Sequence, residues 1–94
     1  MPPRQFVLVS YDIPDDRRRL KVMKTLEAYG VRVQYSVFEC WLTPAQLKRL
    51  RRALKRLVHA EDSIRLYFLR REDVQRTEVL GHGRVSDERA FYLV

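Results

Sequence analysis

The sequence predicts an α+β sandwich in which two helices cover one face of a β-sheet. Three observations carry that expectation. Apolar runs of β-branched or alternating character recur at "FVLV", "VRVQYSVFECWL" and "SIRLYFL". Two intervening stretches, Arg17 to Tyr29 and Thr43 to Val58, repeat apolar residues at helical spacing. Turn and capping residues stand between the two kinds of segment, at "DIPDD" and "TPAQ".

The elements follow in order. Phe6 to Val9 is bounded by the "DIPDD" turn and reads as a central strand. Asp15 or Asp16 suits the N-cap of the next helix, whose inward stripe is Leu20, Met23 and Leu26, flanked by Val22 and Tyr29. Gly30 stands where a helix C′ glycine belongs. In "VRVQYSVFECWL", Val31, Val33, Tyr35 and Val37 share one parity, which reads as one long strand; a hairpin near Tyr35-Ser36 would lack the Asn-Gly type of signal. Thr43-Pro44-Ala45-Gln46 is a capping box with proline at the first helical position. Leu47, Leu50, Leu54, Leu57 and Val58 then face inward. The next strand presents Ile64, Leu66 and Phe68 on its apolar face. Arg71 to Glu78 reads as irregular, "VLGHGR" as a short strand broken by glycines, and "AFYLV" as an apolar terminus. Strand, helix, one or two strands, helix, strand is the order of a split βαβ, or ferredoxin-like, sandwich.

Ninety-four residues make one domain, 1–94, which buries about 60–65% of its unfolded surface, so dimerisation is a plausible source of added stability. Apolar residues make up 46% and charged residues 33%, a globular rather than a disordered balance. The net charge is +7, with 15 arginines among 19 cations, which points to polyanionic partners. Cys40 is the sole cysteine, and His59 and His82 are too scattered for a metal cluster. No apolar run is long enough to span a membrane and "MPPRQ" lacks signal-peptide character, so a cytoplasmic location without membrane association is expected.

Charge patterning narrows the function. The second helix carries Lys48, Arg49, Arg51, Arg52, Lys55 and Arg56 outward, with no acid between Thr43 and Ala60. Like charges three and four residues apart cost a helix about 0.2–0.5 kcal/mol per pair. A phosphate backbone would offset that cost, although a charge run is ordinarily a solvated face. Arg17, Arg18 and Arg19 crowd the first turn of the other helix, where cations oppose the dipole unless a phosphate or Asp15 and Asp16 compensate them. Asp12 closes the first strand. A lone aspartate there is ordinarily a turn or cap residue. The alternative is a magnesium ligand, since that ion takes one or two carboxylates with water and phosphate oxygens. Tyr35, Phe38, Trp41 and Tyr67 suit base stacking as well as core packing.

"SYDIPDDRRRLKVMKTLEAYGVRVQYSVFECWL" resembles the signature of the CRISPR-associated protein two family, the small nuclease-like subunit of spacer acquisition. The resemblance covers essentially the whole chain, and the "YDI…D…R" opening followed by "YG-x-R-V-Q-x-S-V-F-E" carries it. It implies a ferredoxin-like fold in which "RVQYSVFEC" splits into two strands. It also implies a homodimer in which residues 79–94 form a dimer-forming segment, with the strand Ala90 to Val94 added to the partner's sheet. Asp12 of each protomer would hold magnesium, or another divalent cation, at the dimer cleft. Residues important for cleavage would be Tyr11, Asp12, Arg19, Arg32 and Phe38. Lys21 matches a further basic position, keeping the charge of an arginine without its bidentate fork.

Two functions follow from the resemblance. One is a magnesium-dependent endonuclease acting on single-stranded RNA or on DNA. The other is a non-catalytic scaffold that bridges dimers of the CRISPR integrase subunit. Arg17, Arg18, Lys21, Lys48 and Arg52 are the expected nucleic-acid contacts in either case.

Overall fold

The structure, a computed structural model, describes residues 3–88. β1 (Gln5–Asp12) is the centre of a four-stranded antiparallel sheet, paired on one side with β3 (Val37–Leu42) and on the other with β4 (Ser63–Leu69). β2 (Gly30–Gln34) pairs with the outer side of β3, giving the order β2-β3-β1-β4. β3 therefore lies between β1 and β2, and β1 lies between β3 and β4, which is the doubly split βαβ of a ferredoxin-like sandwich. Alternation along β1 sends Val7, Val9 and Tyr11 into the core beneath the helices, with Phe38, Cys40 and Leu42 beside them on β3. The strand outlasts its apolar run and carries Asp12 to the end of the sheet.

α1 (Asp16–Glu27) is capped by Asp15, whose carboxylate accepts from the Arg18 amide at 2.8 Å. Its buried centre is Val22 and Leu26, with Met23 and Tyr29 packed against the core. Leu20 does not join the expected stripe and is 48% exposed, because residues two apart lie nearly opposite on a helix and Val22 sets the inward side. Gly30 is not a C′ cap. The helix ends at Ala28 in an ordinary helical conformation and Gly30 opens β2. Its lack of a Cβ is a packing requirement, since that atom would lie 2.5 Å from the Glu39 carbonyl oxygen and against Cys40 Sγ.

Residues 31–42, one long strand by periodicity alone, form the hairpin β2-β3 that the resemblance implies, with Tyr35 and Ser36 between the strands. Arg32 pairs with Phe38 and Gln34 with Val37, so Val33 is the extra residue of a bulge. No residue of the turn has positive φ, which explains the missing Asn-Gly signal. The bulge also breaks the expected parity: Val31 and Val33 are exposed, while Phe38, Cys40 and Leu42 are buried.

α2 (Pro44–Leu57) starts at the capping box as expected: Thr43 Oγ1 accepts from the Gln46 amide at 3.2 Å, and Gln46 Oε1 accepts from the Thr43 amide at 2.9 Å. Leu50 and Leu54 are buried and Leu47 and Leu57 partly so, but Val58 is the exposed C-cap. The stretch expected to be irregular contains α3 (Arg71–Gln75). Residues 79–84 form no strand; they bend at Gly81 and Gly83, where φ is +92° and +99°. The following segment crosses the face of the sheet opposite α1 and α2. Ser86 O accepts from Trp41 Nε1 at 3.0 Å, the Ser86 amide donates to Glu39 Oε1 at 2.7 Å, and Arg71 lies 5.1 Å above the Trp41 ring while pairing with Glu88. That strap lies over Trp41, against which Phe6 packs at one end of the face, and among the described residues the Asp12 end is exposed. The expected exchange strand, Ala90 to Val94, lies outside the described residues.

Candidate nucleic-acid interface and carboxylate site

Strand alternation divides the expected site residues between the two faces of the sheet. Asp12 shares the open face with Ser10, and the register sets Ser10 opposite Arg65 and Asp12 opposite Ser63. Ser10, Tyr11, Asp12, Ser63, Arg65 and Tyr67 line a shallow pocket of about 280 Å³. Arg65 Nη1 donates to the Tyr67 hydroxyl at 3.3 Å. Asp12 itself is exposed, and its carboxylate makes no hydrogen bond or ion pair among the described residues. The cap of α1 is Asp15 instead. In a chain with 19 cations, a carboxylate without a partner has its lone pairs available to an added cation.

That donor set fits a magnesium ion only in an open form. Asp12 offers one carboxylate with serine and tyrosine hydroxyls around it, and the described residues contain no cluster of three His, Cys, Asp or Glu side chains that would enclose a metal. Magnesium keeps several waters and binds through one or two carboxylates plus phosphate, so the fit requires a substrate phosphate, a second Asp12, or both.

The helix-side face holds the other expected residues. Tyr11, Arg19, Leu20, Met23, Arg32 and Tyr35 line a notch of about 350 Å³, together with Asp16. The turn carbonyl of Tyr35 gathers it: Arg32 donates to that oxygen from Nε at 3.0 Å and from Nη2 at 2.7 Å, and the Tyr11 hydroxyl lies 3.4 Å away. Arg32 also sits 5.1 Å above the Tyr35 ring, which is 69% exposed. Burial pushes the Tyr11 phenol upward against the pull of Arg32, so it stays a protonated donor at neutral pH. Arg19 donates to the Ile13 carbonyl at 2.8 Å and pairs with Asp16, which raises its own pKa. Phe38 has no exposed surface; its ring lies 6.4 Å from that of Tyr11. Phe38 therefore meets the notch only through Tyr11, which it supports from within the core.

The expected polyanion contacts separate in the same way. Lys48, Arg49, Arg51, Arg52, Lys55 and Arg56 are all exposed on α2 and pair with no acid among the described residues. Arg17 and Lys21 are exposed on α1. Arg18 is not available in this way. Its Nε donates to Asp62 Oδ2 at 2.6 Å and its Nη2 to Asp62 Oδ1 and Glu61 Oε1, both at 2.9 Å. The bidentate bond from Arg18 holds the Asp62 carboxyl below its usual range.

Sequence reasoning missed Ser10, Arg65 and the Arg18–Asp62 pair. The first two were readable, since they fall on the parity opposite the apolar faces of β1 and β4. The pair joins residues 44 apart and carries no local signal. Of the four aromatics, Phe38 and Trp41 are core, and Tyr35 and Tyr67 are exposed.

Comparison with known proteins places this architecture. The family model described as CRISPR associated protein Cas2 matches residues 5–77. CRISPR-associated endoribonuclease Cas2 3 of Chloroflexus aurantiacus is 44% identical over 92 residues, covering 97% of this chain and 99% of the relative. The crystal structure of Streptococcus pyogenes Cas2 superposes with a TM-score of 0.71 at 39% identity, over 81% of this chain and 99% of that one. A chain of a partial Cas6-RT-Cas1–Cas2 complex superposes with a TM-score of 0.67 at 31% identity, over 81% of this chain and 90% of that one. The split βαβ sandwich, with its strand-end aspartate and arginine-rich first helix, belongs to the CRISPR-associated Cas2 family.

Proposed function

We propose that this chain is a metal-dependent endonuclease of CRISPR spacer acquisition that hydrolyses phosphodiester bonds in single-stranded RNA or in DNA. The observation that carries the reading is Asp12, an exposed carboxylate without a partner beside Ser10, Ser63, Arg65 and Tyr67. The curated relative from Chloroflexus aurantiacus is named an endoribonuclease, which supports the same class of reaction. A magnesium ion at Asp12 would supply Lewis-acid charge on the phosphate and an acidified water. The chain's own contribution is positional. Asp12 provides the anionic anchor, Arg65 meets phosphate charge on the same face, and the α2 cations hold the rest of the polyanion.

A homodimer completes the proposal. A two-fold axis beside the uncovered end of the sheet would bring two Asp12 carboxylates together, and a shared cation would relieve their repulsion. The proposed exchange of Ala90 to Val94 between protomers would fasten that dimer.

A second reading is favoured by α2. Its six cations without acidic partners lie on the helix side of the sheet, away from the Asp12 face, as a surface that binds backbone without cutting it would. Under this reading the protein is a DNA-holding scaffold that joins integrase dimers, and the similarity to a chain of a Cas1–Cas2 complex supports an integrase partner for either reading. Incubating the protein with RNA and DNA, with and without magnesium, and capturing the integrase subunit separates them. Magnesium-dependent cleavage supports the nuclease; integrase capture and DNA binding without cleavage support the scaffold.

A further inference from the structure

We infer that the notch on the helix side is a base-stacking subsite for one unpaired nucleotide of a single-stranded nucleic acid, with Tyr35 as the stacking platform and Arg32 as its phosphate contact. The inference rests on the reading of this chain as a nucleic-acid-binding protein and adds which form of nucleic acid the site prefers. Three features of the notch lead to it.

The first is an aromatic ring displayed rather than packed. Tyr35 is 69% exposed at the tip of the β2-β3 hairpin, while Leu20 and Met23 supply an apolar wall in the same notch. Leu20, at 48% exposed, has no packing role on α1 that would explain a leucine. A nucleobase has two apolar faces and stacks on such a ring in a sequence-tolerant way.

The second is a positioned cation. Arg32 uses Nε and Nη2 on the Tyr35 carbonyl and lies over the ring, which leaves Nη1 without a hydrogen-bond partner among the described residues. No acid among the described residues pairs with it, whereas Arg19 in the same notch is taken by Asp16. The guanidinium is thus both oriented and able to donate from Nη1 to one phosphate oxygen at the rim.

The third is location. The Tyr11 amide donates to the Ser36 carbonyl at 3.1 Å, tying the hairpin tip to the carboxyl end of β1 one residue before Asp12. A single strand passing over the end of the sheet meets the stacking notch on one side and the carboxylate on the other. A duplex keeps its bases paired and stacked, so it cannot fill the notch; it is left to the α2 face.

The test is fluorescence anisotropy in EDTA with a short labelled single-stranded RNA, the same strand with an abasic site at every position, and the matching duplex. Tyr35→Ala should bind the single strand about tenfold more weakly, the order of one lost stack. Tyr35→Phe should restore the affinity, and both variants should bind the abasic strand and the duplex as the wild type does. Equal single-strand affinity for wild type and Tyr35→Ala overturns the inference. So does an equal loss on the intact and abasic strands, which would mean that the ring serves only to hold Arg32. Loss of integrase capture with single-strand affinity intact also overturns it and makes the notch a protein-docking surface. Because the assay excludes divalent metal, it reads binding apart from cleavage: a protein that cuts no RNA when magnesium is added but shows the Tyr35-dependent preference in EDTA contradicts the nuclease reading and supports the subsite.

Discussion

Tyr11 and Asp12 are neighbours in β1 yet serve opposite faces of the sheet: Tyr11 is buried beneath the helices against Phe38, and Asp12 stands exposed beside Ser10 and Arg65. Strand alternation therefore splits the expected catalytic set in two. The Asp12 face presents a carboxylate without a partner beside Arg65, and the Tyr11 face presents a notch lined by Arg19, Arg32 and Tyr35. The two meet only around the carboxyl end of β1, which makes the effects of substitutions on the two faces separable.

The Arg18–Asp62 pair fastens the first turn of α1 to the loop before β4. Asp62 has no solvent-exposed side-chain surface and accepts a third bond from the His59 amide at 2.9 Å. Because its pKa is depressed in the fold, the pair stabilises the protein above the ordinary carboxylate range and that contribution is lost as pH falls through the lowered value. Asp62→Asn should be less stable than wild type at pH 7, with the difference shrinking in acid below about pH 4. Urea melts of both proteins across that range check it; a difference that stays constant would remove the ion pair as the cause.

Nucleic-acid affinity should depend on α2 and not on Arg18. Arg52→Ala removes a cation without an acidic partner, and the slope of log affinity against log salt should fall by about 0.7–0.9. Arg18→Ala should leave that slope near the wild-type value while lowering the melting temperature, since it strands the shielded Asp62 carboxylate. Anisotropy titrations at several salt concentrations separate the two outcomes. A slope change in Arg18→Ala equal to that in Arg52→Ala would count against the ion-paired role.

Gly30 offers a stability test. An added Cβ would meet the backbone oxygen of Glu39, which cannot swing aside as a side chain can. Gly30→Ala should cost about 1–3 kcal/mol, or at least about 5 °C in melting temperature. If the cap interpretation were right instead, Gly30→Asn would be tolerated better than Gly30→Ala; close packing predicts that asparagine is the worse of the two.

How far the fold was legible follows from the range of each signal. Thr43 and Gln46 announce α2 because a capping box is closed within four residues, and Asp15 announces α1 in the same way. The face of Leu20 was misread because Val22 and Leu26 fit the same spacing, and only the sheet beneath decides between them. The bulge at Val33 was invisible because it is defined by the partner strand, and it reversed the parity that made residues 31–42 look continuous. At the site, Asp12 was legible as a strand-end acid. Arg65 was legible too, on the parity opposite the apolar face of its strand, but Asp62 was not, because its role depends on a contact between α1 and the loop before β4, 44 residues away from Arg18. The resemblance supplied the split of the hairpin, which periodicity alone did not.

Asp12→Asn is the most direct measurement of the central claim that this carboxylate carries phosphodiester cleavage. The amide keeps the size of the side chain and removes the charge that a divalent cation needs. The variant should retain the wild-type melting temperature in EDTA, because the Asp12 carboxylate makes no hydrogen bond or ion pair among the described residues. It should also bind single-stranded RNA in EDTA as wild type does. With magnesium present, its cleavage of that RNA should fall at least about a hundredfold, the scale of several kcal/mol of lost transition-state stabilisation. Cleavage by purified Asp12→Asn at the wild-type rate would contradict the claim.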